Sequence, residues 1–147
     1  MPVDVVTTIE IARPRGRVAE YTMDPANAPV WYKNIGSVAL TTPGPLAIGS
    51  EIAFEARFLG RSLAYTYAVT EFEPGRLLVM RTADGPFPME TTYAFEDTAS
   101  GATTVTLRNR GEPAGFSRFV GPLTVPAMRH ANRQDLKKLE EILEATP

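Results

Sequence analysis

Hydrophobic and polar residues alternate along four to five segments between residues 52 and 109, and this period of two is typical of strands in an antiparallel sheet. In the segment IAFEARF, the apolar side chains fall on one face while Glu55 and Arg57 fall on the other. Such alternation indicates a sheet with one wet face and one face toward a core. An earlier segment, VDVVTTIEIA at residues 3–12, predicts a first strand with its odd positions inward.

Two short helices are predicted after this first strand. Pro14 can open a helix through RGRVAEYTM, and Asp24 can cap a second helix that begins at Pro25 and reaches Trp31. A further strand is predicted over residues 35–42, and the prolines and glycines of TPGPLAIGS then require a loop.

The sequence EPGR, residues 73–76, predicts the register of two central strands. Its proline and glycine suit the two middle positions of a type II turn, which pairs the flanking glutamate and arginine. Extending this register places Val69 opposite Met80 and Glu71 opposite Leu78. We therefore expect Met80 to face inward.

One long amphipathic helix is predicted from about Phe116 to Ala145. At 100° per residue, its stripe of leucine and isoleucine projects backward onto Asn132, so this asparagine should face the sheet. The single histidine, His130, falls on the opposite side and should face solvent. Two prolines between residues 121 and 126 predict a kink or break there, because each removes a backbone donor.

A curved antiparallel sheet covered by one helix usually cannot fill its concave side with side chains alone, so a cavity is expected. The inner face mixes large apolar side chains with tyrosine, threonine and asparagine, and each polar group left unpaired in a dry core would cost about 1–3 kcal/mol. Bound ligand or water would satisfy these groups. An alternative stays open, in which the tyrosine hydroxyls reach solvent and the other polar groups bond to their neighbours. The predicted cavity lining is Trp31, Phe54, Phe58, Tyr65, Tyr67, Met80, Met89, Thr91, Tyr93, Leu107, Asn109, Val125, Met128 and Asn132.

Composition narrows the class of protein. A chain of 147 residues that is 44% hydrophobic and 22% charged suits one globular domain over residues 1–147. The net charge of -2 gives no basic surface for nucleic acid, and no apolar stretch is long enough to span a membrane. The absence of cysteine and of a secretory signal pattern predicts a cytosolic protein. With one histidine and no nucleotide-binding motif, we expect neither a metal nor a cofactor.

The order of motifs resembles the polyketide cyclase/dehydrase and lipid-transport proteins, which form the START-like SRPBCC superfamily. TIEIARPRGRVAEYTMDPANAPVW is similar to the first strand, helix and DP…W segment of that family. Similar matches extend through IGSEIAFEARFLGRSLAYTYAVTEFEPGRLLVMRT, TTYAFEDTASGATTVTLRNRGEP and the closing DLKKLEEILE. The resemblance implies an α+β helix-grip fold, in which about seven antiparallel strands wrap around a long C-terminal helix. It also implies a space between them for sterols, lipids, polyketides or plant hormones.

Three functions are compatible with these observations. The preferred one is the binding of a small apolar molecule, of lipid, polyketide or aromatic type, in a cavity of a few hundred Å³. The second is a polyketide cyclase, aromatase or dehydratase that uses the same residues as acid and base; the sequence identifies no base for it. The third is a co-chaperone or stress protein that would use Leu77 and Val79 on the outer face, although a homodimer or a loop could also cover them. Trp31 is expected mainly to anchor the short helices in the core, at a rim from which it could touch a ligand.

Overall fold

The computed structural model describes residues 3–58, 61–84, 88–111 and 124–145. Within these ranges the elements are β1 (Val3–Ile11), α1 (Arg15–Met23), a 3₁₀ turn (Pro25–Asn27), α2 (Ala28–Trp31), β2 (Ile35–Leu40), β3 (Glu51–Phe58), β4 (Arg61–Glu73), β5 (Leu77–Asp84), β6 (Met89–Asp97), β7 (Thr103–Gly111) and α3 (Thr124–Ala145). The seven strands form one antiparallel sheet in the order β1-β7-β6-β5-β4-β3-β2. This arrangement, with two short helices after β1 and a long helix at the C-terminal end, confirms the predicted helix-grip fold.

The first strand, β1, has the predicted inward face. Val3, Val5, Thr7 and Ile11 are buried and Ile9 is half-buried, whereas the even positions are exposed. Strand β1 pairs with β7 over its whole length. The first and seventh strands are therefore neighbours at one edge of the sheet.

The short helices form an elbow that fills one end of the sheet. The Asp24 side chain caps the 3₁₀ turn, because its Oδ1 accepts the amide hydrogen of Ala26 at 3.0 Å. Trp31, at the end of α2, is 1% exposed and belongs to the main hydrophobic core. Its ring stacks on Tyr32, with centroids 4.0 Å apart, and meets the edge of Tyr93. The predicted anchoring role of this tryptophan matches its position.

The register between β4 and β5 is partly different from the prediction. Val69 lies opposite Met80 as expected, but Glu71 lies opposite Val79 and not opposite Leu78. The turn after Glu73 holds three residues, with its glycine at a φ of 80° that favours glycine, so the pairs next to the turn are shifted by one. An irregularity between Val69 and Glu71 restores the predicted register and keeps Met80 inside.

The outer face of β5 is also less open than predicted. Val79 is buried, with 5% of its surface exposed, and Leu77 is half-buried. Val79 pairs with Glu71 on one side and with Thr92 on the other, so it lies in the middle of the sheet. The prediction that these two residues form an exposed outer patch is wrong, and the co-chaperone alternative loses its basis.

Helix α3 covers the concave face of the sheet. Leu136, Leu139 and Leu143 are buried in the main core, and His130 is exposed, as predicted. Pro126 is the third residue of the described helix. The predicted helical residues 116–123 and the first of the two prolines lie outside the described residues. No described helix is long and apolar enough to cross a membrane.

The packing of α3 against the sheet should contribute to the free energy of unfolding of the protein, and this can be tested. Replacing the fully buried Leu139 by alanine should lower the free energy of unfolding by about 2–5 kcal/mol, because it removes apolar contacts and leaves a cavity. The exposed neighbour supplies the control, since Lys138→Ala should change that free energy by less than about 0.5 kcal/mol. Urea unfolding followed by circular dichroism would measure both. Equal effects of the two substitutions would contradict the described packing.

Candidate functional site

A cavity of about 130 Å³ lies between α3 and the concave face of the sheet. This volume is smaller than the few hundred Å³ expected from the sequence. An apolar cavity of about 150 Å³ in another protein holds benzene, so the space here is close to that of a single aromatic ring.

Most of the predicted lining residues surround this cavity. Strands β3 to β7 contribute their inward side chains, and α3 contributes the side chains on its sheet-facing side. Trp31, Leu107 and Val125 do not line the cavity, and the side chain of Phe58 lies outside the described residues. The predicted residues that do line it are Phe54, Tyr65, Tyr67, Met80, Met89, Thr91, Tyr93, Asn109, Met128 and Asn132.

Five polar lining residues are absent from the predicted lining, and two of them, Tyr32 and Asp135, bring groups that matter to the chemistry of the site; the others are Asn34, Arg57 and Thr82. Tyr32 follows the tryptophan that ends α2, and nothing in the local sequence indicates that its ring turns toward the cavity. Asp135 could have been found, because it lies three positions after Asn132 and four before Leu139, within the apolar stripe of α3. The structure places both Tyr32 and Asp135 at the cavity wall.

Hydrogen bonds satisfy most of the polar groups in the wall. Thr91 donates its single hydroxyl hydrogen to Asn109 Oδ1 at 2.7 Å, so Tyr67 must donate to Thr91, with the two hydroxyl oxygens 2.9 Å apart. On the other side of the site, the hydroxyls of Tyr32 and Tyr93 lie 2.5 Å apart. Thr91 and Asn109 therefore bond to their neighbours, as in the alternative that the sequence analysis left open. The hydroxyls of Tyr67 and Tyr93 do not reach solvent as that alternative expected, because they too bond inside the protein.

Asn132 is the exception. Its side chain is 5% exposed and lines the cavity, and its Nδ2 has no hydrogen-bond partner among the described residues. The indole nitrogen of Trp31 is also buried without a hydrogen-bond partner among the described residues, but Trp31 does not line the cavity. A buried amide donor without a partner costs about 1–3 kcal/mol, so a ligand with an acceptor group would gain by meeting Asn132.

Asp135 brings a carboxyl group to the same wall. It is 3% exposed, and its Oδ1 accepts the backbone amide hydrogen of Lys33 at 3.0 Å. Burial raises the pKa of Asp135 to about 6, although the amide and the positive charge of Lys33 act in the opposite direction. The site therefore holds a carboxyl group that ionises near neutral pH.

The tyrosines of the wall are neutral hydrogen-bonding groups. Burial raises the pKa of Tyr67 to about 12 and raises the pKa of Tyr65 and Tyr93 further. The pKa of Tyr32 is also raised well above its ordinary value, first by burial and then by the neighbouring Tyr93. A phenol with such a pKa is not a base at neutral pH.

A surface groove of about 620 Å³ shares Asn34, Ala56, Arg57 and Leu63 with the cavity wall. The carbonyl of Asn34 accepts the Arg57 amide hydrogen at 2.7 Å, which ties the turn between α2 and β2 to β3. Across the ranges described, no three histidine, aspartate or glutamate side chains come together where they could hold a metal ion.

Solved structures with the same fold are numerous. A protein from Thermus thermophilus is 21% identical, with a TM-score of 0.81 over 98% of this chain and 99% of its own. A START superfamily protein from Mycobacterium smegmatis is 16% identical over the same shares, also with a TM-score of 0.81. The Zhui aromatase/cyclase from a Streptomyces species is 16% identical, with a TM-score of 0.80 over 98% of this chain and 94% of its own. At these identities the similarity establishes the fold alone.

The family is established by the sequence. No curated protein sequence matches this chain. The family model described as "Polyketide cyclase / dehydrase and lipid transport" matches residues 2–144, which is nearly the whole chain. The protein therefore belongs to the polyketide cyclase/dehydrase and lipid-transport family.

Proposed function

We propose that this protein binds a small aromatic molecule that carries a hydrogen-bond acceptor, such as a carbonyl oxygen, in the cavity under α3. The observation that supports this most strongly is the amide of Asn132, which is buried, lines the cavity and has no partner among the described residues. A ligand carbonyl at Nδ2 would satisfy this donor, and the surrounding apolar side chains would hold the ring.

The size and composition of the cavity support the same class of ligand. Its volume of about 130 Å³ suits one ring. Phe54 and Tyr65 provide flat aromatic surfaces, and their rings stack on each other with centroids 5.5 Å apart. Met80, Met89 and Met128 add flexible, polarisable side chains that adapt to the outline of a ligand.

A matched pair of ligands tests this proposal. Acetophenone and ethylbenzene are similar in size, but only acetophenone carries a carbonyl. We expect wild-type protein to bind acetophenone more tightly than ethylbenzene. The affinity of the Asn132→Leu variant for acetophenone should be about tenfold lower than that of the wild type, because one buried hydrogen bond disappears. The affinity for ethylbenzene should not fall. Displacement of an apolar fluorophore would measure both ligands.

The control for this substitution is Gln134→Leu, at an exposed position of the same helix. It should leave both affinities unchanged. Asn132→Leu should also be at least as stable as the wild type to urea, since it removes a buried unpaired donor. Equal losses for the two ligands, or wild-type protein that binds neither, would contradict the proposal.

A second function, a cyclase or dehydratase that acts on such a ligand, is favoured by Asp135. With a pKa of about 6, this carboxyl is largely ionised at neutral pH and can take a proton from a carbon between two carbonyl groups. The carbanion would attack a ketone of the same molecule to form a carbon–carbon bond, and the proton on Asp135 would pass to the resulting alkoxide. For a dehydration, the ionised Asp135 would then take the second proton from the same carbon and pass it to the hydroxyl, which leaves as water while a carbon–carbon double bond forms.

The pH dependence of turnover tests this second function. The rate on a poly-β-ketone mimic should rise as the pH increases through about 6, because only the ionised carboxyl accepts a proton. Asp135→Asn keeps an acceptor for the Lys33 amide but cannot act as a base, so the rate should fall by a factor of about 100 or more. The control Glu141→Gln changes an exposed carboxylate of α3 and should have no effect. A flat profile, or an unchanged rate in Asp135→Asn, would exclude this role.

A further inference from the structure

We infer that the polar group of the ligand both accepts a hydrogen bond from Asn132 and donates one to Asp135, as a carboxamide or a hydroxyl group can. The inference rests on the proposed binding function, and it adds the chemical class of the group that the ring carries. Two buried side chains on the same side of α3 provide the complementary donor and acceptor.

Asn132 and Asp135 are neighbours in the cavity wall. They are three positions apart on α3, a spacing that places Cβ atoms about 5–6 Å from each other on one side of a helix. Both side chains are buried and both line the cavity. One polar group of a small ligand can therefore meet both of them.

The two side chains offer opposite hydrogen-bonding functions. Asn132 Nδ2 is a donor without a partner among the described residues, so it does not bond to Asp135. Asp135 accepts one hydrogen bond in the described ranges, from the Lys33 amide to Oδ1. An ionised carboxylate has about four acceptor sites and no donor. The free protein therefore holds an unused donor beside an acceptor that has room for further bonds.

A ligand group with only one of the two functions fits this pair less well. The oxygen of a methyl ketone or an ester satisfies Asn132 but brings no hydrogen to the carboxylate. A ligand oxygen that carries negative charge would be repelled by the ionised Asp135. A carboxamide has its acceptor and its donor on one carbon, and a hydroxyl has both on one oxygen, so either group satisfies the amide and the carboxylate together.

The charge of Asp135 makes this preference depend on pH. Burial raises the pKa of Asp135 to about 6, so the carboxyl is mostly neutral at pH 5 and ionised at pH 8. The other titratable groups that act on it are Lys33, whose positive charge favours the ionised form, and two phenols, Tyr32 and Tyr93. Burial raises the pKa of both phenols, which therefore stay neutral in this range. Because hydrogen bonds to an ionised acceptor are about twice as strong as those between neutral groups, the affinity for a ligand with a donor should rise with pH.

Three neutral probes of nearly the same shape test this inference. Acetophenone carries an acceptor alone, benzamide replaces its methyl group by an amide NH₂, and 1-phenylethanol replaces its carbonyl by a hydroxyl. Between pH 5 and pH 8, the affinity of benzamide or 1-phenylethanol relative to that of acetophenone should rise about fivefold. The hydration of these probes does not depend on pH, so it cancels in the comparison. The probe with the larger rise identifies the group that the site prefers. Displacement of an apolar fluorophore, calibrated at each pH, would measure the affinities.

Substitution of Asp135 assigns the effect to its carboxyl. Asp135→Asn keeps an acceptor for the Lys33 amide but carries no charge, so the relative affinities should no longer change with pH. At pH 8 they should be about fivefold below the wild-type values. The control Glu141→Gln, at an exposed position of α3, should behave as the wild type does. The pH comparison in the wild type needs no variant, so the test does not depend on the folding of Asp135→Asn.

The possible failures can be told apart. If both relative affinities are the same at pH 5 and pH 8, or if Asp135→Asn keeps the wild-type pH dependence, the inference is wrong, and the proposed binding of an acceptor still stands on acetophenone. If Asn132→Leu weakens the binding of acetophenone alone, the two other probes do not use this pair of side chains, and the inference is again wrong. If none of the three probes binds to the wild type, both the inference and the proposed binding function fail.

Discussion

The contact between α3 and the concave face of the sheet is the constraint on which the rest of the structure depends. Leu136, Leu139 and Leu143 join the main core from the helix, and residues of six strands join it from the sheet. Burial of these side chains fixes the rotation of the helix about its axis. That rotation decides which polar groups of α3 are carried into the interior.

Asn132 and Asp135 are the polar groups carried inside. They lie on the same side of the helix as the core leucines, so the protein cannot bury those leucines without burying an amide and a carboxyl as well. A chain selected only for stability would place apolar residues at both positions, because buried polar groups without full pairing are costly. Under the proposed function, the ligand is what these two groups at the wall of the cavity interact with.

The polar side chains of the cavity wall fall into two groups, those that are hydrogen-bonded within the protein and those that are not. Thr91 of β6 bonds both to Tyr67 and to Asn109 of β7, and the hydroxyls of Tyr32 and Tyr93 bond to each other. Those groups are satisfied by the fold itself and keep their positions when the site is free. On α3, by contrast, the side-chain amide nitrogen of Asn132 has no partner among the described residues, and the proposed function assigns this donor to the ligand.

Much of this could be predicted from the sequence, and the reasons for the failures are physical. Alternation along β1 and β3 to β7 gave the inward faces, because the period of a strand does not depend on its partners. The pairing of Glu71 was missed because the length of the turn and a compensating irregularity are set by both strands together. The inward turn of Tyr32 and the pKa of Asp135 depend on groups distant in the chain, such as Tyr93 and Lys33, so local sequence could not supply them.

The side-chain amide of Asn132 offers the most direct test of the central claim that the cavity receives a ligand at this donor. Its nitrogen and proton resonances can be followed by ¹⁵N-edited NMR while an aromatic ketone is added to the protein. The account predicts a saturable downfield shift of one amide proton, as it gains a carbonyl acceptor, with the half-saturation point equal to the ligand's dissociation constant. Resonances of Asn132 that stay unchanged while the ketone binds would contradict it.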